Sequence, residues 1–429
     1  MNIGQLIKLE RQRQNMKQEY LASGICVPSY LSRIENGLVI PSEDIQQHLL
    51  KRLNVPLDAL NNDGDEAKLS YFKSLFKSVI NSRDKQKAKS LYQDVHIYIE
   101  EHPFEPNRLT LLVMETRLML MLPEYSSEVQ SNVSILEEFK KEMNTEQLFY
   151  LSTIQGILAY LNNNFRESSE IFTQIFTLIK SYRMEDWEMA ELYYISSLSF
   201  LSEARFIISI DYVKAALSYF NQEILIERSI ECLIILGIAQ KSTGVLHEAV
   251  TTFEKAKEIS SKLESSKFNR KIEHNLGASH SLLKNHDQAL IHFQNSLNES
   301  SNSEDNLITI VNILKEYHKI SDSQNAITWL RKGYDLLEHL PDKNRDFFAN
   351  HLAVYQAVLL DNSDFLNIFK NALKYFESKQ EYKYCSVYSF VLAKKLAEYK
   401  QYKQATIYYD LGFNYHLKQL KITSWEELV

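Results

Sequence analysis

Arg33 and the polar residues around it offer the most specific chemistry in the sequence. A guanidinium can form two hydrogen bonds with one guanine edge in the major groove of DNA, and small hydroxyl side chains can bond phosphate oxygens. Leu31 and Ile34 predict a short helix with an apolar inner face, which leaves its first turns exposed. Gln18 opens the preceding helix, where it can reach a phosphate or a base. The expected outward residues of the later helix are Pro28, Ser29, Ser32 and Arg33.

Two short helices must position these residues, and the sequence marks their ends. Gly24 predicts a tight turn between them, and Gly37 stands where a helix C-terminus favours a left-handed residue. The string Gln-Glu-x-Leu-Ala … Tyr-Leu-Ser-Arg-Ile-Glu-Asn-Gly, within residues 18–37, resembles the helix-turn-helix of the lambda-repressor-like (XRE) DNA-binding family. The resemblance extends over residues 2–60 and predicts a DNA-binding head that recognises a double-stranded operator.

This resemblance also implies roles for residues outside the exposed turn. Arg11 and Glu35 correspond to an internal ion pair that ties the first helix of the family to the third. The turn before Pro28 is one residue shorter than in similar repressors. Implied phosphate contacts are Lys17, Tyr30 and Asn36.

Charge and composition limit how such a head could bind DNA. The chain has 429 residues, a formal net charge of −7 and 45% hydrophobic residues, with only 7 Pro and 10 Gly, which favours a mostly helical protein. Residues 1–62 carry seven lysines and arginines against six acidic residues, so the acidic excess lies downstream. Affinity must therefore come from local placement of charge and from pairing of two heads. This predicts a homo-oligomer, either a dimer or a tetramer.

The sequence shows no pattern for catalysis, a cofactor or a metal. Its three cysteines are scattered without metal-ligand spacing, which suits a reducing cytosol, and no nucleophile motif or phosphate-binding loop occurs. Charges in the first 13 residues argue against a signal peptide, and no apolar run approaches the length of a membrane span. We therefore expect a cytoplasmic, non-enzymatic protein with no cofactor, no metal and no membrane contact.

Beyond a polar linker at residues 62–67, the chain repeats itself. Small or apolar residues recur as register marks about every 40 residues. A small residue follows each mark except Ala353 by 12 positions, and an apolar residue, usually aromatic, follows each by 16 positions. Gly277, for example, is followed by Ala289 and Phe293. This divides the chain into a head at residues 1–61 and a repeat body at residues 68–429. The marks are Phe76, Gly156, Ser197, Gly237, Gly277, Leu314, Ala353 and Ala393, with room for one degenerate copy near Glu115.

These offsets are typical of tetratricopeptide-like helical hairpins. Two helices can cross closely only where side chains are small, and the aromatic residue fills the space beside the crossing. The sequence therefore predicts an all-α chain, in which the helix-turn-helix head precedes a right-handed superhelical solenoid of about nine hairpins with a concave inner face.

The inner face can be read from the register. Residues three and two before each mark, and one and four after it, should point into the concave groove. Asn275 and Asn312 then share one register position, and an amide can both donate to and accept from the main chain of an extended peptide. Each of these residues could also be an ordinary solvated helix residue. The candidate peptide-binding residues are Lys271, His274, Asn275, Asn312, Lys315, Asn350, His351, Tyr160 and Tyr194.

The combination of this head and this body resembles the RRNPP family of peptide-pheromone-responsive transcriptional regulators. The resemblance implies a quorum-sensing regulator that binds a short re-imported signalling peptide in the groove, which changes the oligomer and its DNA binding. A second reading is a peptide-regulated inhibitor that sequesters a response regulator of a sporulation phosphorelay, and one protein could do both. A third is a repeat scaffold with a vestigial head, against which the intact Ile-Glu-Asn-Gly segment and Arg33 argue.

Overall fold

Helices account for nearly all of the described chain. The computed structural model describes residues 2–55, 65–103, 105–179, 183–263, 266–299, 302–360 and 362–420. In these residues it contains 22 α-helices, a short 3-10 turn at Pro123–Tyr125 and no strand, which confirms the all-α fold class. None of the described helices has the length and apolarity to cross a membrane.

Four helices form the head. Their fully buried apolar side chains include Ile7, Leu31 and Ile34. A Cβ atom on Gly4 would lie 1.9 Å from the carbonyl oxygen of Ile34, so only glycine allows the first helix to approach the third this closely. The helices are α1 (Ile3–Arg13), α2 (Gln18–Ala22), α3 (Pro28–Glu35) and α4 (Glu43–Arg52).

Most of the remaining helices pair into antiparallel hairpins, four before residue 243 and four after residue 244 within the described residues, as the repeat pattern predicted. In two of them the predicted close crossing is visible, because a Cβ atom on Gly156 or Gly277 would lie 2.7 Å from the ring of Phe172 or Phe293, respectively. Each of these phenylalanines follows its glycine by 16 residues. The helices between the head and residue 243 are α5 (Glu66–Ser82), α6 (Lys85–Glu101), α7 (Arg108–Met119), α8 (Ser126–Glu138), α9 (Thr145–Leu161), α10 (Phe165–Leu178), α11 (Asp186–Ser202), α12 (Phe206–Gln222) and α13 (Ile226–Ser242). The helices after residue 244 are α14 (Leu246–Ser260), α15 (Asn269–Leu282), α16 (His286–Asn298), α17 (Ser303–Lys319), α18 (Ser323–Glu338), α19 (Asp342–Leu359), α20 (Phe365–Ser378), α21 (Tyr382–Glu398) and α22 (Tyr402–Leu420).

The chain divides into two compact units, which we call unit 1 (Met1–Thr243) and unit 2 (Gly244–Val429). The head therefore belongs to the same unit as the first repeats, whereas the sequence predicted a boundary at residues 62–67. Residues 62–64 of that linker lie outside the described residues, and α5 already begins at Glu66.

In unit 1 the inner helices close on one another around a buried carboxylate. Glu191 of α11 accepts hydrogen bonds from Arg83, Arg117 and Arg228, at 2.8, 3.0 and 2.7 Å. These arginines follow α5 or lie on α7 and α13, so one side chain joins four inner helices. Burial alone would raise the pKa of Glu191, but the three guanidinium groups lower it to about 2.

Arg228 also ties α5 across this interior. Its guanidinium donates a hydrogen bond to the carbonyl oxygen of Ile80 at 3.2 Å and lies 4.2 Å from the ring centroid of Tyr194. Phe76 of α5 packs edge-on against Trp187 of α11, with ring centroids 6.3 Å apart. The concave side of unit 1 is therefore filled with its own side chains.

We expect Glu191→Gln to destabilise the protein by about 3–5 kcal/mol, because it leaves the buried guanidinium groups of Arg117 and Arg228, and the half-buried one of Arg83, without their carboxylate. Chemical denaturation measures the loss. The Glu191 contribution should be fully present above pH 4.5, the ordinary pKa of glutamate, and should be lost as the pH falls towards 2. Glu170→Gln is the control, since Glu170 forms an exposed pair with Arg166 and should contribute less than about 1 kcal/mol. Equal stability of Glu191→Gln and wild type would contradict this account of the interior.

Candidate nucleic-acid interface and ligand groove

Helix α3 presents the expected outward residues. Proline at its first turn suits a helix start because it has no N–H to leave unpaired. Leu31 and Ile34 are fully buried in the head core, which turns Ser29 and Arg33, one helical turn apart, towards solvent. Gly24 and Gly37 both adopt φ of 70°, which confirms the predicted turn and helix end.

The predicted internal ion pair between Arg11 and Glu35 is confirmed. Two guanidinium nitrogens of Arg11 donate to the two carboxylate oxygens of Glu35, at 2.6 and 2.9 Å, and the pair is buried. A bidentate pair of this kind fixes both distance and angle between α1 and α3. Gln18 donates to the same carboxylate at 2.6 Å. Its amide nitrogen is thus directed into the head and not towards a phosphate or base.

The other predicted DNA contacts differ in exposure. Tyr30 and Ser32 are half-buried, and Tyr30 packs against the apolar core of the head. Lys17 is exposed at the N-terminus of α2, and Asn36 is exposed at the C-terminus of α3. The open surface therefore combines the guanidinium of Arg33, the ammonium of Lys17 and the small polar side chains of Ser29 and Asn36. Pro28 is exposed beside them. This is the chemistry of a face that binds phosphate oxygens and base edges.

In unit 2 the asparagines of three successive inner helices adopt one geometry. The side-chain amide of Asn275 donates to the carbonyl of Lys271 at 2.8 Å, and Asn312 and Asn350 donate in the same way to the carbonyl four residues earlier, at 3.2 and 2.8 Å. All three side chains are partly exposed. The two residues that follow each asparagine are buried, so α15, α17 and α19 bury the same face and leave the asparagines at its edge.

This equivalence corrects the register predicted for α19. With the mark at Ala353, His351 should face the groove, but it is 2% exposed, and Val354 and Ala357 are fully buried. Moving the mark to Leu352 places Asn350 in the position of Asn275 and Asn312 and leaves Ala353 partly exposed. Five residues separate α19 from α20, whereas three separate α15 from α16 and α17 from α18, so the spacing in the sequence was misleading here.

His351 is a core residue, and its prediction as a peptide contact is wrong. Its ring nitrogen Nδ1 hydrogen-bonds the hydroxyl of Tyr388, and its ring packs edge-on against Phe347 with centroids 4.7 Å apart. Burial lowers the pKa of His351 to about 3, so the ring is neutral at physiological pH.

The aromatic residues predicted at the other end of the groove lie in unit 1. Tyr194 is 7% exposed and belongs to the closed interior around Glu191, so the prediction that it lines an open groove is wrong. The sequence could not show this, because the arginines that cover Tyr194 come from distant helices. Tyr160 is half-buried and packs on Phe165, with ring centroids 5.5 Å apart.

Cations converge on the inner face of unit 2. Lys315 is exposed, yet desolvation by the surrounding protein lowers its pKa, and Lys319 and Lys383 lower it further. Desolvation also lowers the pKa of His318, and Lys394 adds to this effect. Lys383 and Lys394 lie on α21, two inner helices beyond α17, so positive charges from both helices act on this surface. Neither lysine is among the predicted groove residues, although Lys394 directly follows the register mark Ala393 and so occupies a groove position by the same rule.

Two further predicted residues frame this surface. Lys271 is exposed on α15. His274 is half-buried, hydrogen-bonds Thr309 at 3.2 Å and packs against Phe293, so it connects α15 to α17. In the part of the chain that the structure describes, no group of three or more His, Cys, Asp or Glu residues could hold a metal ion. The groove therefore offers amides and cations, which suit a peptide main chain and its carboxylates.

Comparison with known proteins gives matches over both halves. A helix-turn-helix family model matches residues 7–60. Transcriptional activator NprA of Geobacillus stearothermophilus is 26% identical over 410 residues, which cover 94% of this chain and 100% of that protein. The resemblance to the RRNPP family is confirmed by these matches. Within that family, the length of this chain and its number of repeats are similar to those of NprR.

Solved structures share the fold of the body. The apo form of the quorum sensor NprR from B. thuringiensis has a TM-score of 0.72 at 17% identity and covers 82% of this chain and 99% of its own. NprR in complex with its cognate peptide NprX has a TM-score of 0.59 at 18% identity, with coverage of 82% and 99%. At such identities the likeness concerns the fold.

The revised register of α19 predicts a large loss of stability for one substitution and a small loss for a substitution at the adjacent residue. Val354→Asn should destabilise unit 2 by several kcal/mol, because it buries an amide among apolar side chains, whereas Ala353→Asn should cost less than about 1 kcal/mol. Thermal unfolding of both variants measures the difference. The original register predicts the reverse order, so a more damaging Ala353→Asn would refute the correction.

Proposed function

We propose that this chain is a quorum-sensing transcriptional regulator. It joins an XRE-type helix-turn-helix head to an NprR-like repeat body and resembles the RRNPP family. The head binds operator DNA, and the repeats bind a short signalling peptide that alters this binding. The observation that carries the proposal is an intact DNA-reading face on the same chain as a concave surface of amides and cations. A vestigial head would have no reason to keep both the buried Arg11–Glu35 pair and an exposed Arg33.

Operator recognition rests on α3. Arg33 reads a base edge in the major groove, while Lys17, Ser29 and Asn36 contact the phosphates that position it. Gln18 acts through Glu35 and sets the angle between α2 and α3. One head carries few positive charges, so two heads on a palindromic site are needed for useful affinity.

A second copy of the chain supplies the second head. The last described helices expose several aromatic side chains on one end of the repeats, including Phe390, Tyr409 and Phe413, which are 39–44% exposed. Terminal repeats of a solenoid are normally polar on their outer face, so an aromatic end favours pairing with another copy. We assign dimerisation to this end, and a tetramer requires a further surface.

Peptide binding rests on unit 2. An extended peptide of seven residues spans about 23–25 Å, which fits three neighbouring inner helices about 8–10 Å apart. The amides of Asn275, Asn312 and Asn350 bond its main chain, and Lys271 and Lys315 attract carboxylates. The protein needs no cofactor and catalyses no reaction in this role. Its three free cysteines and its DNA partner suit the cytoplasm.

The alternative role, sequestration of a phosphorelay response regulator, uses another part of the body. The repeat helices offer far more surface than a seven-residue peptide covers, and the filled interior of unit 1 leaves its outer surface for a protein partner. Both roles can belong to one protein, with peptide selecting between them.

Arg33→Ala should weaken operator binding by about 1–3 kcal/mol and relax the preference at one base pair of each half-site. Fluorescence anisotropy across genomic fragments upstream of the gene measures both, with a stoichiometry of two chains per site. Lys85→Ala, an exposed lysine on α6, is the control and should leave affinity unchanged. Weak binding of wild type to all fragments alike would refute the transcriptional role.

Asn312→Ala and Asn275→Ala should each weaken peptide binding by about 1–3 kcal/mol, because a buried peptide group loses its partner. Isothermal calorimetry tests this with synthetic heptapeptides from the C-termini of short secreted proteins encoded beside the gene. Asn367→Ala, on the outer helix α20, is the matched control and should bind as wild type does. If both inner variants keep full affinity, the groove assignment is wrong.

The response-regulator role predicts that the protein captures a phosphorelay protein of its host in the absence of peptide. A pull-down with the full chain, followed by competition with the peptide, should show release. No capture with or without peptide would leave transcription as the supported role.

A further inference from the structure

Helix α1 has two packed faces. Ile7 and Arg11 face the interior of the head, whereas Leu9 is fully buried in the apolar core that α5 to α9 form. The ammonium of Lys8 lies 5.3 Å from the ring centroid of Phe139, which directly follows α8. One helix therefore belongs to the head and to the repeat body at the same time.

A buried ion pair lies at the centre of this contact. Glu10 of α1 accepts a hydrogen bond from Arg108 of α7, and both residues are less than 10% exposed. Arg108 also donates to the carbonyl oxygens of Ile99 and His102, at 2.9 and 3.1 Å, where α6 ends. The carboxylate of Glu10 thus pairs with a guanidinium that already binds the end of α6 from α7.

Three polar contacts surround the central pair. Arg13 pairs with Glu100 at 2.6 Å, and Lys8 pairs with Glu138 at 2.7 Å. Gln5 donates to Glu142 at 2.8 Å. The contacts reach α6 and α8 from both sides of α1, so they resist rotation of the head as well as its separation from the body.

The contacts named above all come from α1 and leave Ser29 and Arg33 of the DNA-reading face exposed. A cleft of about 470 Å³ lies between the head and α8 beside Lys8, and another of about 300 Å³ lies beside Arg13. Ser29 and Arg33 are exposed and take no part in the docking. The docked head can therefore read DNA while it is held.

We propose that the α1 contacts fix the orientation of each head and so determine the spacing of operator half-sites that the protein accepts. This inference rests on the proposed function. Each base pair added between two half-sites rotates one of them by about 34° around the DNA axis and moves it by about 3.4 Å. A freely tethered head could follow such a change, whereas a docked head cannot. Lys8, Glu10 and Arg13 are thus positioning residues that act on specificity without touching DNA.

Charge reversal at the rim of the contact separates positioning from folding. The variant Lys8→Glu/Arg13→Glu replaces two attractions with repulsions and leaves the buried pair of Glu10 and Arg108 intact. Adding Glu100→Lys and Glu138→Lys restores opposite charges and should restore wild-type behaviour. Rescue by the second pair of substitutions excludes a general loss of folding.

The first measurement needs no DNA. A dye attached through His48→Cys in a Cys26→Ser background reports head motion by time-resolved anisotropy of the full chain. In the otherwise wild-type chain the head should tumble with the whole protein, and the rim variant should show a fast component that the restoring variant removes. Fast independent tumbling of the unreversed head would overturn the inference, whether or not the protein binds an operator.

The second measurement uses the operator with one or two base pairs inserted between its half-sites. Wild type should lose about tenfold in affinity for each altered spacing, because the DNA must be twisted to fit, whereas the rim variant should lose much less. Equal spacing preference in both proteins would overturn the inference while the transcriptional role stands. Failure of wild type to bind any specific site would refute the proposed function, and the anisotropy would then show whether the docking exists.

Discussion

The close crossing of paired helices is the constraint on which the repeat body depends. At Gly156 and Gly277 a single added Cβ atom would collide with a phenylalanine ring of the partner helix. Such a crossing fixes not only the distance between two helices but also the rotation of each about its own axis. Because successive residues are about 100° apart around a helix, a shift of one residue moves a side chain from groove to core. What the groove contains is therefore decided by how each pair crosses.

The two units use their inner faces differently, and electrostatics explains how. In unit 1 the inner face is buried, and a charge could stay there only with partners, which Glu191 finds in three guanidinium groups. In unit 2 the buried carboxylate of Glu316 accepts hydrogen bonds from Ser281 and Lys319, whereas Lys315 stays exposed, and desolvation followed by the charges of Lys319 and Lys383 lowers its pKa. An accumulation of like charge on a concave surface favours a ligand that carries carboxylates. The closed interior holds the fold together, and the open one is suited to binding.

In the head, the single helix α1 contributes side chains to two apolar cores. The carboxylate of Glu35 binds Arg11 and Gln18, so α1, α2 and α3 share one hydrogen-bonded centre. On the opposite side of α1, Glu10 takes part in an equally buried pair with the body. Consecutive residues Glu10 and Arg11 therefore connect to different domains, and a change in the repeats can reach the DNA-reading face through one turn of helix.

The sequence by itself determined the features that depend on neighbours along the chain. The helix-turn-helix, its end at Gly37 and the series of helical hairpins follow from spacing over a few turns, where local geometry leaves little choice, and the family resemblance implied the pair of Arg11 with Glu35. The tertiary structure alone decided which side chains reach the groove. His351 is buried against Phe347 and Tyr388, and the longer connection after α19 hid this register, while Tyr194 is buried because Arg83 and Arg228 converge on its ring. The docking of α1 likewise joins Glu10 to a residue 98 positions away. Such contacts depend on how helices far apart in sequence are brought together, and no local spacing records that.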